Sequence, residues 1–218
     1  MNKTLPAKLK RFTRRLQDEK FEGDVTNFYS AKRTNMKRSN LEKYFSYIYQ
    51  QGTDTLLVGE APGYNGCRLT GVPFTSEYII HFGVGKEKLF GIENGYTASN
   101  KRVKKEQSAS SMWDVLQKLD ELPLLWNAFP FHPYQKGEVN SNRKPNAKEL
   151  EIGRSYLSDL IDIFKVKDVI AIGNVADDIL NKMRIDHIKV RHPSYGGKTL
   201  FKKQLLSYYK TKKKCTKT

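Results

Sequence analysis

The sequence has too few cysteines and too short hydrophobic runs for several classes of protein. Its two cysteines, Cys67 and Cys215, allow neither a disulfide framework nor a four-thiolate metal cluster within the chain. Scarce cysteine is also typical of a reducing compartment, which predicts a cytoplasmic protein. No apolar stretch approaches the ~18 residues of a membrane span, and the basic N-terminus lacks the apolar core of a signal peptide. We therefore expect a soluble protein with no membrane partner.

Histidine is also scarce. None of the four histidines has metal-ligand spacing with cysteines or acids; they are His81, His132, His187 and His192. The ligand patterns typical of protein-bound metals are therefore missing. The sequence predicts no metal site and no cofactor.

Acidic residues are scarce at both ends of the chain. The formal net charge is +16. Residues 1–50 carry 12 Lys and Arg against 5 Asp and Glu, and residues 198–218 carry 8 lysines and no acid, so the middle is nearly neutral. A neutral body with basic ends is typical of a protein that binds a polyanion. A solvated helix face with a solubilising tail has the same composition, and anionic membrane surfaces attract the same charges.

Four short apolar runs predict a buried parallel sheet. Each is rich in β-branched or aromatic residues and ends in turn chemistry; they cover residues 55–59, 124–129, 168–173 and 187–193. Because helical patterns lie between them, we expect an α/β fold in one domain spanning residues 1–218. Its core would be a mostly parallel four-stranded sheet flanked by helices on both faces.

The remaining segments receive more local predictions. Residues 1–45 are predicted to be a basic helical segment, residues 85–110 a long mobile loop, and residues 211–218 a flexible lysine-rich tail. Ser111-x-x-Asp114 has the pattern of a helix N-terminus. An amphipathic helix is predicted over residues 147–164, with one apolar face formed by Leu150, Leu157, Leu160, Ile161 and Phe164.

Three of the predicted strands end in polar segments marked by proline. These are "GEAPG" at residues 59–63, "NAFPFHP" at 127–133 and "RHPS" at 191–194. Since ligands of open α/β sheets bind beyond the carboxyl ends of the strands, we expect the three segments to form one site. "GEAPG" lacks the lysine of a nucleotide P-loop, which disfavours that kind of site.

Each polar residue at these strand ends has a functional and a structural interpretation. Gly59 and Gly63 can adopt positive φ and let another molecule approach the backbone closely. Glu60 could orient or deprotonate a water, or be a surface turn acid. Asn127 could bind the amide edge of a planar ligand, or cap a turn. His192 could stabilise a leaving group, or be a buried hydrogen-bonded imidazole.

Taken in order, "GEAPG", "TGVPF" at residues 70–74, Asn127 and "HPS" at residues 192–194 resemble the motifs of the uracil-DNA glycosylase superfamily. The first motif is most similar to the bacterial and archaeal branch called family four, and "TGVPF" resembles the single-strand-selective branch. Two departures are evident. The chain lacks the cysteines of the family-four iron–sulfur cluster, and Ala61 stands where other branches carry Asp or Asn.

The resemblance implies a base-binding pocket built from these motifs. Glu60 would hold the attacking water, and the backbone of Ala61 and Gly63 would line the pocket. Phe74, which could otherwise be a core aromatic, would stack on the extruded uracil. Asn127 would bind O4 and N3–H of the base, and His192 would hydrogen-bond O2 as the base departs.

The resemblance also implies DNA contacts beside the pocket. The loop that enters the DNA stack would contain Ser194, Tyr195 and Gly196, with Lys198 following it, and Tyr195 is the candidate wedge. Tyr64 lies near the position where relatives exclude the methyl group of thymine. Phosphate contacts would come from the basic ends of the chain.

The implied function is that of a monofunctional uracil-DNA glycosylase of base excision repair, which hydrolyses the N-glycosidic bond of a flipped uracil. Its expected partner is uracil-containing DNA, single- or double-stranded; a protein inhibitor is a further candidate, and a monomer is expected. A glycosylase for another damaged base is one alternative. Others are a non-enzymatic nucleic-acid-binding protein, and an enzyme of free nucleotides that uses "GEAPG" as an anion nest.

Overall fold

Strands and helices alternate along most of the chain. The computed structural model describes residues 5–30, 35–85, 89–98 and 103–215, except the side chains of residues 214 and 215. Parts of three predicted segments, 1–45, 85–110 and 211–218, therefore lie outside the described residues. In chain order the elements are α1 (Ala7–Asp18), β1 (Val25–Thr26), α2 (Met36–Gln51), β2 (Thr55–Gly59), α3 (Cys67–Thr70), α4 (Glu77–Phe82), a 3-10 turn (Ile92–Asn94), α5 (Gln107–Leu116), β3 (Leu124–Asn127), β4 (His132–Pro133), α6 (Ala147–Phe164), β5 (Asp168–Ile172), α7 (Asn174–Lys182), β6 (Ile188–Val190) and α8 (Lys198–Cys215).

The four predicted apolar runs form one parallel sheet with the strand order β3-β2-β5-β6. Strands β2 and β3 are buried along their whole length, which explains why their sequences are continuously apolar and do not alternate. The α/β prediction with a four-stranded parallel sheet is confirmed. A second, two-stranded sheet pairs β1 with β4; strands of two residues leave no periodicity from which they could have been predicted.

Helices cover both faces of the sheet, as predicted. Right-handed crossovers place α6 and α7 on one face and the segment between β2 and β3 on the other, where α5 packs against α8. Strand β2 is the switch point, because the chain continues to β3 on one side of it and later reaches β5 on the other. Ligand sites of such sheets lie at the carboxyl end of this point.

The basic N-terminal helix α1 is fixed to the sheet by an apolar face. Phe12 is buried, and its ring centroid lies 5.4 Å from Trp126 of β3 and 5.5 Å from Tyr156 of α6, both in edge-to-face geometry. Leu9 and Leu16 are fully buried on the same face. The helix therefore contributes core contacts, and only its outer face presents cations.

Helix α5 begins earlier than its sequence pattern predicts. Glu106 is its N-cap, with carboxylate oxygens that accept from the backbone N–H of Ser108 at 3.2 Å and of Ala109 at 2.8 Å. The start predicted at Ser111 is wrong, because this carboxylate satisfies the first N–H groups one turn upstream. Within the predicted mobile loop, Leu89, Phe90 and Tyr96 are buried, with Phe90 edge-to-face with Trp113 at 5.1 Å, whereas residues 92–95 and 97 are exposed.

Helix α8 extends through part of the predicted flexible tail. Lys212 Nζ donates to Asp54 Oδ1 at 2.6 Å, to Asp168 Oδ2 at 2.6 Å and to Thr55 Oγ1 at 2.7 Å. Partial burial lowers the pKa of Lys212, but the hydrogen bonds to the two carboxylates outweigh it and raise that pKa. Residues 211–213 of the segment predicted to be flexible thus continue α8 in the structure. No described helix, α8 included, is long and apolar enough to cross a membrane.

Replacing Lys212 by Ala is expected to lower the free energy of unfolding by about 1–2 kcal/mol, a value reduced by the partial exposure of all three charged partners. The loss arises because Asp54 and Asp168 would remain at the start of β2 and β5 without their shared cation. Urea unfolding at pH 7 measures it. Lys210→Ala, an exposed lysine on the same helix, is the matched control, and equal stability of the two variants would contradict the prediction.

Candidate active site

A cavity of about 290 Å³ opens at the carboxyl ends of the strands. The structure brings eight of the ten predicted site residues to its wall: Glu60, Ala61, Gly63, Phe74, Asn127, His192, Ser194 and Tyr195. Gly196 and Lys198 do not line it. The loops after β2, β3 and β6 therefore meet as the strand-end rule predicts.

Phe74 and Asn127 form one wall against the backbone of Gly59. A Cβ atom at Gly59 would overlap Cζ of Phe74 and lie 2.8 Å from Oδ1 of Asn127. The glycine is thus required by the close approach of these side chains, and neither Gly59 nor Gly63 uses the positive φ that glycine allows. It is Phe74 that has positive φ, at 52°, and the Trp113 indole N–H holds its carbonyl at 3.1 Å.

Asn127 ends β3 opposite Gly59 and is only 5% exposed. Its neighbours are fixed by two backbone hydrogen bonds, Ala128 N–H to Gly59 O at 2.8 Å and Phe129 N–H to Glu60 O at 3.0 Å. Its side-chain amide makes no hydrogen bond with any described residue. A buried amide normally has partners, so a donor and an acceptor are left for a ligand in the cavity.

Glu60 follows β2 directly and lies half-buried in the cavity wall. Burial raises the pKa of its carboxyl group, and the positive charge of Lys144 acts in the opposite direction. Glu106 also lines the cavity, but its carboxylate is occupied as the N-cap of α5. Glu60 is therefore the carboxylate available for chemistry, and Ala61 beside it adds no second acid.

His192 follows β6, and a hydrogen bond to its ring determines which ring nitrogen carries the proton. Its Nδ1 accepts the backbone N–H of Ser194 at 3.2 Å, so the proton of the neutral ring is on Nε2. Burial, and then the charge of Arg191, lower the pKa of His192, which keeps the ring neutral at pH 7. The Nε2–H group can therefore donate to an acceptor in the cavity. Ser194 is held in turn by a 3.0 Å hydrogen bond between its hydroxyl and that of Ser108.

The loop after His192 projects an aromatic side chain from the mouth of the cavity. Tyr195 is 97% exposed and has φ of 50°, and Gly196 follows with φ of 73°. Two consecutive residues in the left-handed region form a sharp turn that L side chains rarely adopt. Lys198 begins α8, where its ammonium lies 3.6 Å from Asp114. The wedge role of Tyr195 stays a prediction.

Sequence reasoning missed the loop of residues 134–146, which closes one side of the cavity. Arg143 lines the cavity and binds both carboxylate oxygens of Glu149, at 2.8 and 2.6 Å. Its guanidinium also donates to the carbonyls of Asp24 and Tyr134. The capping box formed by Asn146 and Glu149 at the start of α6 is a sequence signal for the helix start, but nothing in the sequence marks Arg143 as its partner.

Tyr64 is not among the residues that line the cavity. Its backbone N–H donates to Oδ1 of Asn142 at 3.0 Å, and its carbonyl accepts from Arg68 at 3.1 Å. Gly63 lines the cavity, and a Cβ there would meet open space. The cavity wall is therefore formed by backbone at this point.

The cations near the cavity are not the ones that the charge count predicts. Over the 14 residues from Lys198 to Lys212, α8 carries the basic C-terminal segment about 21 Å away, to the amino ends of β2 and β5. Phosphate contacts from residues 211–213 at the cavity are therefore excluded by this placement. Described cations beside the site include Arg143 in its wall, Arg191 next to His192, and Lys144, whose charge acts on Glu60.

Comparison with known proteins agrees with this architecture. The profile of the Uracil DNA glycosylase superfamily matches residues 45–215. Among solved structures, the fold is similar to wild-type SMUG2 from Pedobacter heparinus, with a TM-score of 0.68 over 95% of this chain and 97% of that chain, at 15% identity. No curated protein matches the sequence. Because the family profile covers most of the chain and includes all three strand-end loops, the chain belongs to the uracil DNA glycosylase superfamily.

Proposed function

We propose that this protein is a monofunctional glycosylase that removes uracil from DNA and leaves an abasic site. The family and the fold support a DNA glycosylase that binds DNA; uracil is the finer part of the proposal. The observation that carries it is the buried, unpartnered amide of Asn127 beside the ring of Phe74. A flat base against Phe74 would place its polar edge within reach of that amide.

The edge of uracil is complementary to an asparagine amide. O4 accepts from Nδ2–H, and N3–H donates to Oδ1, so both orphan groups of Asn127 would be satisfied at once. Cytosine presents a donor and an acceptor in the reverse order. With the amide held in one orientation, cytosine would therefore leave buried polar groups unpaired, which a site of this kind rejects strongly.

Cleavage would use Glu60 and the Nε2–H of His192. As the bond between C1′ and N1 breaks, positive charge develops on the sugar and the electron pair leaves with the base. Nε2–H would stabilise the resulting oxyanion at O2, and one such donor is worth about 3–4 kcal/mol. Water adds to C1′, and Glu60 accepts its proton. The base anion is then protonated from solvent, so no cofactor takes part.

The target base must leave the DNA stack to reach this cavity. Tyr195 is the exposed side chain at the mouth that could occupy the vacated space. Contacts with the DNA backbone are proposed for Ser194 and Gly196 of the same loop and for Lys198, which follows it at the start of α8. Arg191 adds a cation next to His192.

Base release from synthetic oligonucleotides tests the proposal. Purified protein is incubated with labelled DNA that contains one uracil, single-stranded or paired with A or G, and abasic sites are cleaved with alkali. Strand cleavage at uracil, with none at thymine or cytosine, is expected. Release of a different damaged base from a panel would replace uracil as the substrate. Binding without release of any base would favour the non-enzymatic interpretation and overturn the proposal.

The proposed role of Glu60 predicts an acid limit to activity. Burial raises its pKa above the usual value of 4.5, and the base must be ionised, so activity should fall as pH decreases through that raised pKa. Lys144→Ala removes the opposing positive charge and should move the acid limb to higher pH. The pH profile of kcat/KM measures this. Lys148→Ala, at an exposed lysine in the first turn of α6, should leave the acid limb in place. Acid limbs at the same pH in wild type and both variants would contradict the role of Glu60.

A further inference from the structure

Two exposed aromatic rings of α4 form a cluster with a lysine from the segment before α5, outside the cavity. The rings of Tyr78 and Phe82 have centroids 4.8 Å apart and are 37% and 55% exposed. Nζ of Lys105 lies 4.1 Å from the centroid of Tyr78. The opposite side of α4 supplies Ile79 and Ile80 to the core, so the outer rings are not needed to hold the helix in place.

The cluster is continuous with the rim of the cavity. The backbone N–H of Tyr78 donates to the carbonyl of Lys104 at 3.0 Å, and Nζ of Lys104 lies 3.4 Å from Oδ1 of Asn65. Asn65 stands between Gly63 and Gly66, which both line the cavity, and Glu106, next to Lys105, lines it as well. A chain bound in the cavity could therefore extend directly onto α4.

Exposed rings beside lysines match the chemistry of a single strand of nucleic acid. Unpaired bases stack on aromatic rings whatever their sequence, while cations between the rings contact the phosphates. A duplex keeps its bases stacked inside and offers such rings nothing to stack on. The combination of exposed rings and lysines therefore favours a single strand over a duplex.

We propose that Tyr78, Phe82, Lys104 and Lys105, here called the α4 surface, bind a stretch of single-stranded DNA that flanks the nucleotide in the cavity. The proposal rests on the proposed function in one respect, that the cavity holds an extruded nucleotide. Binding of a single strand to the α4 surface can be measured without any base release.

Binding to uracil-free DNA tests the α4 surface directly. Fluorescence anisotropy compares a labelled single-stranded 20-mer with a blunt hairpin duplex of the same sequence. Tyr78→Ala/Phe82→Ala should weaken single-strand binding by about 10–100-fold and hairpin binding by less than about 2-fold. Lys104→Ala/Lys105→Ala should weaken single-strand binding and lower the salt slope by about 1.4, since each phosphate contact contributes about 0.7 on a single strand.

Matched controls come from the other end of the molecule. Tyr49→Ala removes a ring that is 43% exposed at the end of α2, and Lys182→Ala/Lys210→Ala removes two exposed lysines; both should bind like the wild type. Circular dichroism checks folding, and if the double aromatic variant misfolds, Phe82→Leu and the lysine variant carry the test. Unchanged single-strand binding in folded variants would overturn the proposal, as would a single-stranded RNA that competes ten times better than DNA.

Uracil release separates this inference from the proposed function. If the wild-type protein is inactive on every uracil substrate while the α4 variants are defective in single-strand binding, the proposed function is wrong and the proposed α4 surface is supported. If the wild type is active and the α4 variants release uracil from single strands as fast as the wild type at limiting substrate, the proposed α4 surface is wrong and the proposed function is supported. If both hold, the variants should lose activity on single strands more than on the blunt duplex.

Discussion

Replacing Asn127 by Ala is expected to lower uracil release by about 10³-fold, because the variant loses both the donor for O4 and the acceptor for N3–H in a desolvated site. Thermal stability should not decrease along with activity. The amide makes no hydrogen bond with any described residue, so its removal breaks none. We therefore expect Tm to be unchanged or higher. Single-turnover release and a thermal melt on the same preparation measure the two effects.

A loss of stability that accounts for the loss of activity would contradict the proposed role of Asn127. A variant with a much lower Tm and proportionally lower activity would indicate a structural amide, such as a turn cap. Asn142→Ala provides the matched control, since Asn142 also lies at the cavity but its Oδ1 is occupied by the backbone N–H of Tyr64. Its loss should cost stability more than it costs uracil release.

Glu60→Gln is expected to lower uracil release by about 10²–10⁴-fold, the range of general-base contributions. The substitution preserves size and hydrogen-bonding capacity but cannot accept the proton of the attacking water. It also removes a negative charge from a site that faces phosphates, so DNA binding should be equal or tighter. Single-turnover kinetics and anisotropy with uracil-containing DNA measure the two quantities separately.

This pair of measurements distinguishes an enzyme from a binding protein that retains the fold. A non-enzymatic protein would bind DNA and be indifferent to Glu60→Gln, whereas a glycosylase should keep binding and lose turnover. Glu121→Gln makes the same chemical change at an exposed carboxylate just before β3, at the amino ends of the strands, and should have wild-type activity. Full activity of the Glu60 variant would remove this carboxylate from the mechanism.

Much of the active-site framework could be predicted from local sequence. Strands buried on both faces need continuous apolar runs, so residues 55–59 and 124–127 were identifiable as strands. The parallel order of strands then placed Glu60, Asn127 and His192 at one edge of the sheet. These assignments succeeded because they depend on burial and chain direction, which the sequence pattern encodes directly.

The local chemistry of the wall was not predictable in the same way. Glycine allows positive φ, but at Gly59 it is the missing Cβ that matters, because it admits Phe74, a residue 15 positions later whose own φ is 52°. Arg143 and Glu149 pair across the start of α6, and Glu106 starts α5 ahead of Ser111. Each depends on which side chain reaches which backbone group after folding, and spacing along the chain does not specify that.

The sequence by itself determined the sheet, the order of its strand-end loops and the types of residue they bring together. Only the tertiary structure decided where the positive charge lies. Counted along the chain, the lysines of residues 198–218 form a basic end, but α8 carries Lys212 to the opposite end of the strands, where it pairs with Asp54 and Asp168. The physical reason is that burial patterns are properties of neighbouring residues, whereas an electrostatic surface depends on distances in space, and a helix separates residues by about 1.5 Å for every position.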